Sequence, residues 1–203
     1  MKINLNNNNL NIVNVTKKAL KDKEILLGLL EGILSKNETI RSNSFKVLML
    51  LSNKYPVVLY SKWDYFVGML DSDNAFFKFM AVQLIANLTK IDKKNKFKKI
   101  FGKYYDLLND SVIVAGHITA NSGKIARAKP ELQSKITNKL LNIDKTKQKH
   151  KDLIKAGAIE SFSEYFKESN EKGKIIEFIK KQLNCESPKT RKTAKNFLEK
   201  WHL

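Results

Sequence analysis

The sequence predicts an all-α chain in which about five antiparallel helix pairs stack in a row. Three observations carry this. Glycine and proline are scarce, 8 and 3 in 203 residues, too few for a fold built on many tight turns and enough for helices with short links. From Thr16 onward the apolar residues recur at helical spacing rather than in alternation. One arrangement of residues then returns along the chain: from Ser44 to Ala81 is 37 positions, and from Ala158 to Ala194 is 36. A unit of that length cannot bury both faces of its helices, so copies must shield one another.

Taken in order, residues 1–15, "MKINLNNNNLNIVNV", read as a polar leader without a secretory pattern, expected to be disordered, and residues 16–203 as the repeat domain. The first pair opens with "EILLGLLEGILS", which puts Leu26, Leu30, Ile33 and Leu34 on one face. Its second helix, "IRSNSFKVLMLLSNKYP", carries the stripe Ser44, Val47, Leu48 and Leu51 and stops at Tyr55-Pro56, because proline disfavours helical geometry in the residue before it. The same stripe recurs as Ala81, Leu84, Ile85 and Leu88, as Ala158, Ser161, Phe162 and Tyr165, and as Ala194, Phe197, Leu198 and Trp201. The span of 77 between Ala81 and Ala158 leaves room for one further unit. Leading helices are predicted at roughly 22–35, 57–70, 95–108, 131–142 and 172–184. A small residue one turn into each second helix lets its neighbour approach, and the apolar residues after it fill the space between pairs.

The recurring pattern is apolar-basic-x-x-small-x-x-apolar-apolar, seen in Ile40-Arg41-Ser44, Phe77-Lys78-Ala81, Ile154-Lys155-Ala158 and Thr190-Arg191-Ala194. It resembles the HEAT repeat over about residues 20 to 203, with an armadillo-like or other helical-pair repeat as the neighbouring alternatives. The period is short for that family. The family's turn aspartate has only Asp73 and Glu186 near its place. The resemblance implies a right-handed α-solenoid whose second helices line a concave binding surface, and it implies no chemistry.

Composition narrows the partners. The 38 basic and 20 acidic residues leave a formal charge of +18, which keeps a chain soluble and draws it to acidic proteins or nucleic acid. Only Arg41, Arg127 and Arg191 are arginine, however, and arginine is the better residue for forked contacts to phosphates and base edges. Lys46, Lys78, Lys124, Lys151, Lys155, Lys192 and Lys195 recur along the second helices. In a regular solenoid several would share one surface, fit for an acidic peptide or, as the alternative, for DNA or RNA in a salt-sensitive way. A solvated face of lysines is the plain alternative to both. A lone cysteine, Cys185, allows no internal disulfide and suits a reducing cytosol, so a cytoplasmic place is expected. No apolar run reaches the roughly 18 residues of a membrane span.

The unit between Ala81 and Ala158 contains "GHITANSGKIARAKPEL", residues 116–132. Its Gly-Lys pair is not a phosphate loop, which needs glycine at position 118 and Ser or Thr at 125, where the chain has Ile118 and Ile125. Gly116, Ala120 and Gly123 form a stripe of small residues. Each interior glycine costs a helix about 1 kcal/mol relative to alanine, so something must offset it. Either two backbones approach there, or the stripe is a shallow binding spot edged by His117, Asn121, Lys124 and Arg127. His117, His150 and His202 show no metal-ligand spacing, so neither metal nor cofactor is expected. The aromatic groups around Asp64 (Tyr60, Trp63, Tyr65, Phe66) and Asp106 (Tyr104, Tyr105) read as core. A HEAT-like DNA glycosylase, which would use a carboxylate among aromatics, is a distant third reading. The leading expectation is a non-enzymatic scaffold for a protein or peptide.

Overall fold

A computed structural model of the chain describes residues 3–203. Among these, twelve α-helices and no strands are present: α1 (Ile12–Ala19), α2 (Lys23–Gly32), α3 (Glu38–Lys54), α4 (Pro56–Tyr60), α5 (Trp63–Met69), α6 (Ala75–Leu88), α7 (Lys96–Asp106), α8 (Val112–Ala128), α9 (Gln133–Leu141), α10 (Lys151–Tyr165), α11 (Lys172–Lys181) and α12 (Pro188–Trp201). The second helices α3, α6, α8, α10 and α12 pack on one another in that order and form one layer. The leading helices α2, α4–α5, α7, α9 and α11 pack along their other side, giving an α-solenoid. None of the described helices is long and apolar enough to cross a membrane.

The predicted stripes are the core. Ser44, Val47, Leu48 and Leu51, then Ala81, Leu84, Ile85 and Leu88, then Ala158, Ser161 and Phe162 are all fully buried, as is Ala194. Leu34 departs from its predicted face: α2 ends at Gly32, so Leu34 falls beyond the helix and is exposed, and Leu29 takes the buried place. The predicted leading helix at 57–70 is two shorter helices, α4 and α5, meeting at Ser61-Lys62, with Trp63 driven into the core.

Helix starts keep the period. Asn37, Asn74 and Ser111, spaced 37 apart, each accept a hydrogen bond from the first turn of α3, α6 and α8, and Ser187 does the same for α12. Such caps satisfy amides that a helix start leaves without partners. The basic position of the repeat motif is structural too. Arg41 donates to the carbonyl of Ser35 at 2.8 Å and Arg191 to those of Cys185 and Glu186 at 2.7 and 2.8 Å, so each clasps the turn before its own helix. Lys78 pairs with Asp110 at 2.6 Å, and Lys155 with Asp144 and Asp152 at 2.8 and 2.9 Å.

The leader differs from expectation. The predicted boundary at residues 15 and 16 lies inside α1, whose Val15, Thr16 and Ala19 are buried and which packs on α3. Residues 3–11 are held by their asparagines rather than loosened by them. Asn43 of α3 donates to the carbonyls of Leu5 and Asn7, both at 2.9 Å, and Asn11 caps α1. An asparagine-rich segment reads as disordered by composition, yet the Asn4, Asn7 and Asn11 side chains accept from backbone N–H groups two or three residues on, as such short amides do in turns.

Candidate functional site

Helix α8 meets α10 through small residues. Its Val114, Ile118 and Ile125 are fully buried in the core, which turns the side carrying Thr119, Ala120 and Gly123 toward α10. A Cβ on Gly123 would stand 2.8 Å from the Ser161 carbonyl oxygen and from the Glu164 carboxyl carbon. One on Gly157 would stand 2.5 Å from Thr119 Oγ1 and 2.9 Å from the backbone nitrogen of Ala120. The Ser161 hydroxyl uses this proximity: it donates to the Thr119 carbonyl at 2.5 Å and accepts from the Gly123 N–H at 2.8 Å. It thereby bridges the carbonyl and amide that an undisturbed helix bonds directly. Gly116 is different, with only Ile154 Cγ2 nearby at 3.9 Å. The small-residue stripe is therefore close packing at Gly123 and open at Gly116.

Beyond Gly123, the C-terminal half of α8 borders a polar cavity of about 460 Å³, lined by Asn53, Asn87, Lys90, Lys124, Arg127 and Glu164 among others. Lys124 is open to solvent on one side, and its ammonium donates to Asn121 Oδ1 at 2.9 Å and Asn87 Oδ1 at 3.3 Å. Both asparagines are buried and fixed: Asn121 donates to the His117 carbonyl at 2.8 Å and Asn87 to Ser52 Oγ at 3.0 Å. The Lys90 ammonium bonds the Asn53 carbonyl. Loss of water around its ammonium lowers the Lys124 pKa, and Lys90 adds to this, while Glu164 opposes it. Burial raises the Glu164 pKa against the pull of Lys124 and Arg127.

The N-terminal half of α8 borders an apolar groove of about 380 Å³ against α10, lined by Ile113, Gly116, His117, Leu153, Gly157 and Lys189 among others. Phe76, Ile113 and Leu153 are 52, 48 and 49% exposed, although all three are large and apolar. Each stands five residues before its unit's Ala81, Ile118 or Ala158, so one register of three consecutive helices presents them together. Phe79 stacks on His117 at 5.1 Å and meets Phe76 edge-on at 5.9 Å, with the Arg41 guanidinium 5.7 Å above Phe76. Burial lowers the His117 pKa. Sequence reasoning missed this strip. Its signal was present as an apolar residue outside the core stripe, repeated at one position of the unit.

The expected site residues fall into three groups. His117, Asn121, Lys124 and Arg127 share one side of α8; the Asn121 bonds link the His117 carbonyl to Lys124, with Asn121 buried and Arg127 exposed. Lys78 and Lys155 are held by carboxylates, and Lys151 donates to the Asp144 carbonyl at 2.7 Å. The expected lysine stripe is thereby interrupted, because the motif's basic position clasps turns instead of facing a partner. Lys46 on α3 and Lys192 and Lys195 on α12 are exposed at opposite ends of the layer, Lys195 lying 3.8 Å from Glu199. The other motifs resolve as packing. Trp63, Phe66, Tyr104 and Tyr105 are core, Tyr104 donating to the Val82 carbonyl and Tyr105 paired with Ser122. Asp64 and Asp106 stand on exposed faces beside Lys96 and Lys139.

No protein-family model matches the chain, and no curated protein matches it. Among solved structures it is similar to a designed armadillo repeat protein, with a TM-score of 0.55 and 14% identity over 96% of each chain. At that identity the likeness speaks to fold alone, and it agrees with the stacked hairpins described above: this is an armadillo/HEAT-like helical-repeat α-solenoid.

Proposed function

We propose that the chain is a non-enzymatic binding scaffold that holds a protein or peptide segment against the exposed face of α6, α8 and α10. The observation that carries this is the row of Phe76, Ile113 and Leu153, three large apolar side chains open to solvent at one register beside a groove. Single exposed apolar residues need no explanation, but a contiguous strip marks an interaction surface. Stacked repeats supply extended surfaces of this kind as a consequence of their architecture. Each side chain of the row is already about half-buried, so covering two of them contributes on the order of 1.5–3 kcal/mol before ordering costs, and backbone contacts must supply the rest. The lone Cys185 is consistent with work in a reducing compartment. Nucleic acid remains the lesser reading, since its lysine stripe is broken at Lys78 and Lys155.

A displayed random-peptide library, selected on the immobilised chain, tests the reading. Binders should carry apolar anchors. Ile113→Asp and Leu153→Asp should each weaken them by about tenfold or more, the cost of setting a carboxylate where an apolar group docks. Binders indifferent to both changes, or a chain that selects none while retaining duplex DNA, would sink it.

A further inference from the structure

The polar cavity at the C-terminal half of α8 has a composition the apolar strip does not explain. Three cations converge on it: Lys90 after α6, and Lys124 and Arg127 on α8. Elsewhere in the second-helix layer, inward-turned lysines are matched by carboxylates, as Lys78 is by Asp110 and Lys155 by Asp144 and Asp152. Here, among the described residues, no carboxylate lies within ion-pairing distance of Lys90, Lys124 or Arg127. Lys124 has only amide oxygens for partners, and those amides are locked by Ser52 and the His117 carbonyl. The ammonium is thus aimed but not neutralised. Glu164, from α10, lines the same cavity beyond ion-pairing distance, and its charge acts on Lys124 and Arg127 from there.

We propose that this cavity receives one carboxylate of the bound segment, an Asp or Glu side chain of an acidic peptide, gripped by Lys124 and Arg127 with Lys90 at the rim. The proposal rests on the scaffold reading above and adds the partner's charge. Arg127 supplies a planar fork suited to a carboxylate, and Lys124 a point charge already oriented toward it. Glu164 at the wall weakens the cations' pull on any anion, and a peptide partner offers that anion as an Asp or Glu side chain. The chain's net charge of +18 supplies the long-range attraction for the same acidic partner.

Fluorescence anisotropy with fluorescein-labelled octaglutamate tests this, with octaglutamine, acetate and inorganic phosphate as competitors. Octaglutamate should bind and octaglutamine should not displace it. Lys124→Met should weaken binding about tenfold and Arg127→Gln about threefold, and Glu164→Gln should strengthen it about threefold. Lys98→Gln and Lys174→Gln, on the leading helices, should stay within about twofold. Should those two weaken binding as much as Lys124→Met, the attraction is diffuse and the cavity is no site. An unchanged affinity in Glu164→Gln, or displacement by phosphate at lower concentration than by acetate, would overturn the carboxylate assignment. If octaglutamate fails to bind while library-selected peptides still respond to Ile113→Asp, the inference falls and the scaffold reading stands. If the library also yields nothing, both fall. Lys124→Gln serves should Lys124→Met fail to fold.

Discussion

Helix α8 touches its two neighbours in opposite ways. Against α10 it offers Gly123 and receives Gly157, and the Ser161 hydroxyl enters between Thr119 and Gly123. Against α6 it offers Lys124 and Asn121, meets Asn87, and leaves a cavity of about 460 Å³. One seam is closed by removing side chains and the other is held open by long polar ones. The same short stretch of sequence thus contains a packing device and a candidate site, one residue apart at Gly123 and Lys124. Small residues in a helix and polar residues in a helix carry separate messages, and here they answer to different neighbours.

The largest effects should come from filling the closed seam. Gly157→Ala places a methyl 2.5 Å from Thr119 Oγ1 and 2.9 Å from a backbone nitrogen. The hydroxyl can rotate away but the backbone cannot, so α10 must shift, at about 3 kcal/mol. Gly123→Ala meets the Ser161 carbonyl at 2.8 Å and should cost about 2–3 kcal/mol, offset by alanine's helix preference of about 1. Urea unfolding of both variants checks this. Neutral values would mean that the seam is looser than described.

The open seam is tied at its far end by Lys78 and Asp110, 2.6 Å apart. Burial alone would raise the Asp110 pKa, but the Lys78 bond and the Ser111 N–H outweigh it and hold the carboxyl below its ordinary value. A carboxyl depressed in the folded state contributes stability above its unfolded pKa of about 4. That contribution is lost as pH falls through the lower folded value. The melting temperature should therefore drop as pH falls below about 4. Asp110→Asn should cost about 1.5–2 kcal/mol at neutral pH, between the values for exposed and buried pairs. It should also flatten part of the acid dependence. An unchanged pH profile in that variant would remove Asp110 as a tie between α6 and α8.

Ser161→Ala should cost about 1–2 kcal/mol, because it leaves the Thr119 carbonyl and the Gly123 amide without their bridge inside a closed seam. Gly116→Ala should go the other way. Its methyl meets only Ile154 Cγ2 at 3.9 Å, an ordinary contact, so the helix gains up to about 1 kcal/mol. Opposite signs at Gly116 and Gly123 would separate packing from openness along one stripe, and equal losses would show that the stripe acts as a unit.

The layered fold was legible because burial imposes a period. Ser44, Ala81, Ala158 and Ala194 lie in equivalent, fully buried places, and a helix pair that needs a neighbour repeats its apolar face. The site was legible only in part. His117, Asn121, Lys124 and Arg127 were marked by helical spacing alone, which gathers residues on one side but does not say whether a neighbour engages them. Lys78 and Lys155 looked the same in sequence; Asp152 stands three residues before Lys155 on its own helix, but Asp110 and Asp144 come from turns that no helical period relates to the lysines they hold. Phe76, Ile113 and Leu153 were hidden for a different reason. An apolar residue in an apolar-rich helix draws notice only when the core face is known closely enough to exclude it.

The smallest expected effect on stability is at Lys124 itself. A lysine whose ammonium is drawn toward amides, with Glu164 and Lys90 acting on it in opposite senses and no carboxylate at ion-pairing distance, gives the free chain little. Lys124→Met removes that charge and the donor to the Asn87 and Asn121 oxygens, which water in the open cavity replaces, so unfolding should change by about 0.5–1 kcal/mol. The contrast with Lys155→Met is the informative one. Lys155 is only 6% exposed and pairs with the solvent-facing Asp144 and the partly buried Asp152, so its removal should cost about 1–2 kcal/mol, between the values for exposed and buried pairs. Two lysines on successive second helices would then differ in degree, one holding the chain together and one contributing little until a partner arrives. A loss at Lys124 equal to that at Lys155 would place it among the structural ties and leave the cavity without a reason to hold a charge.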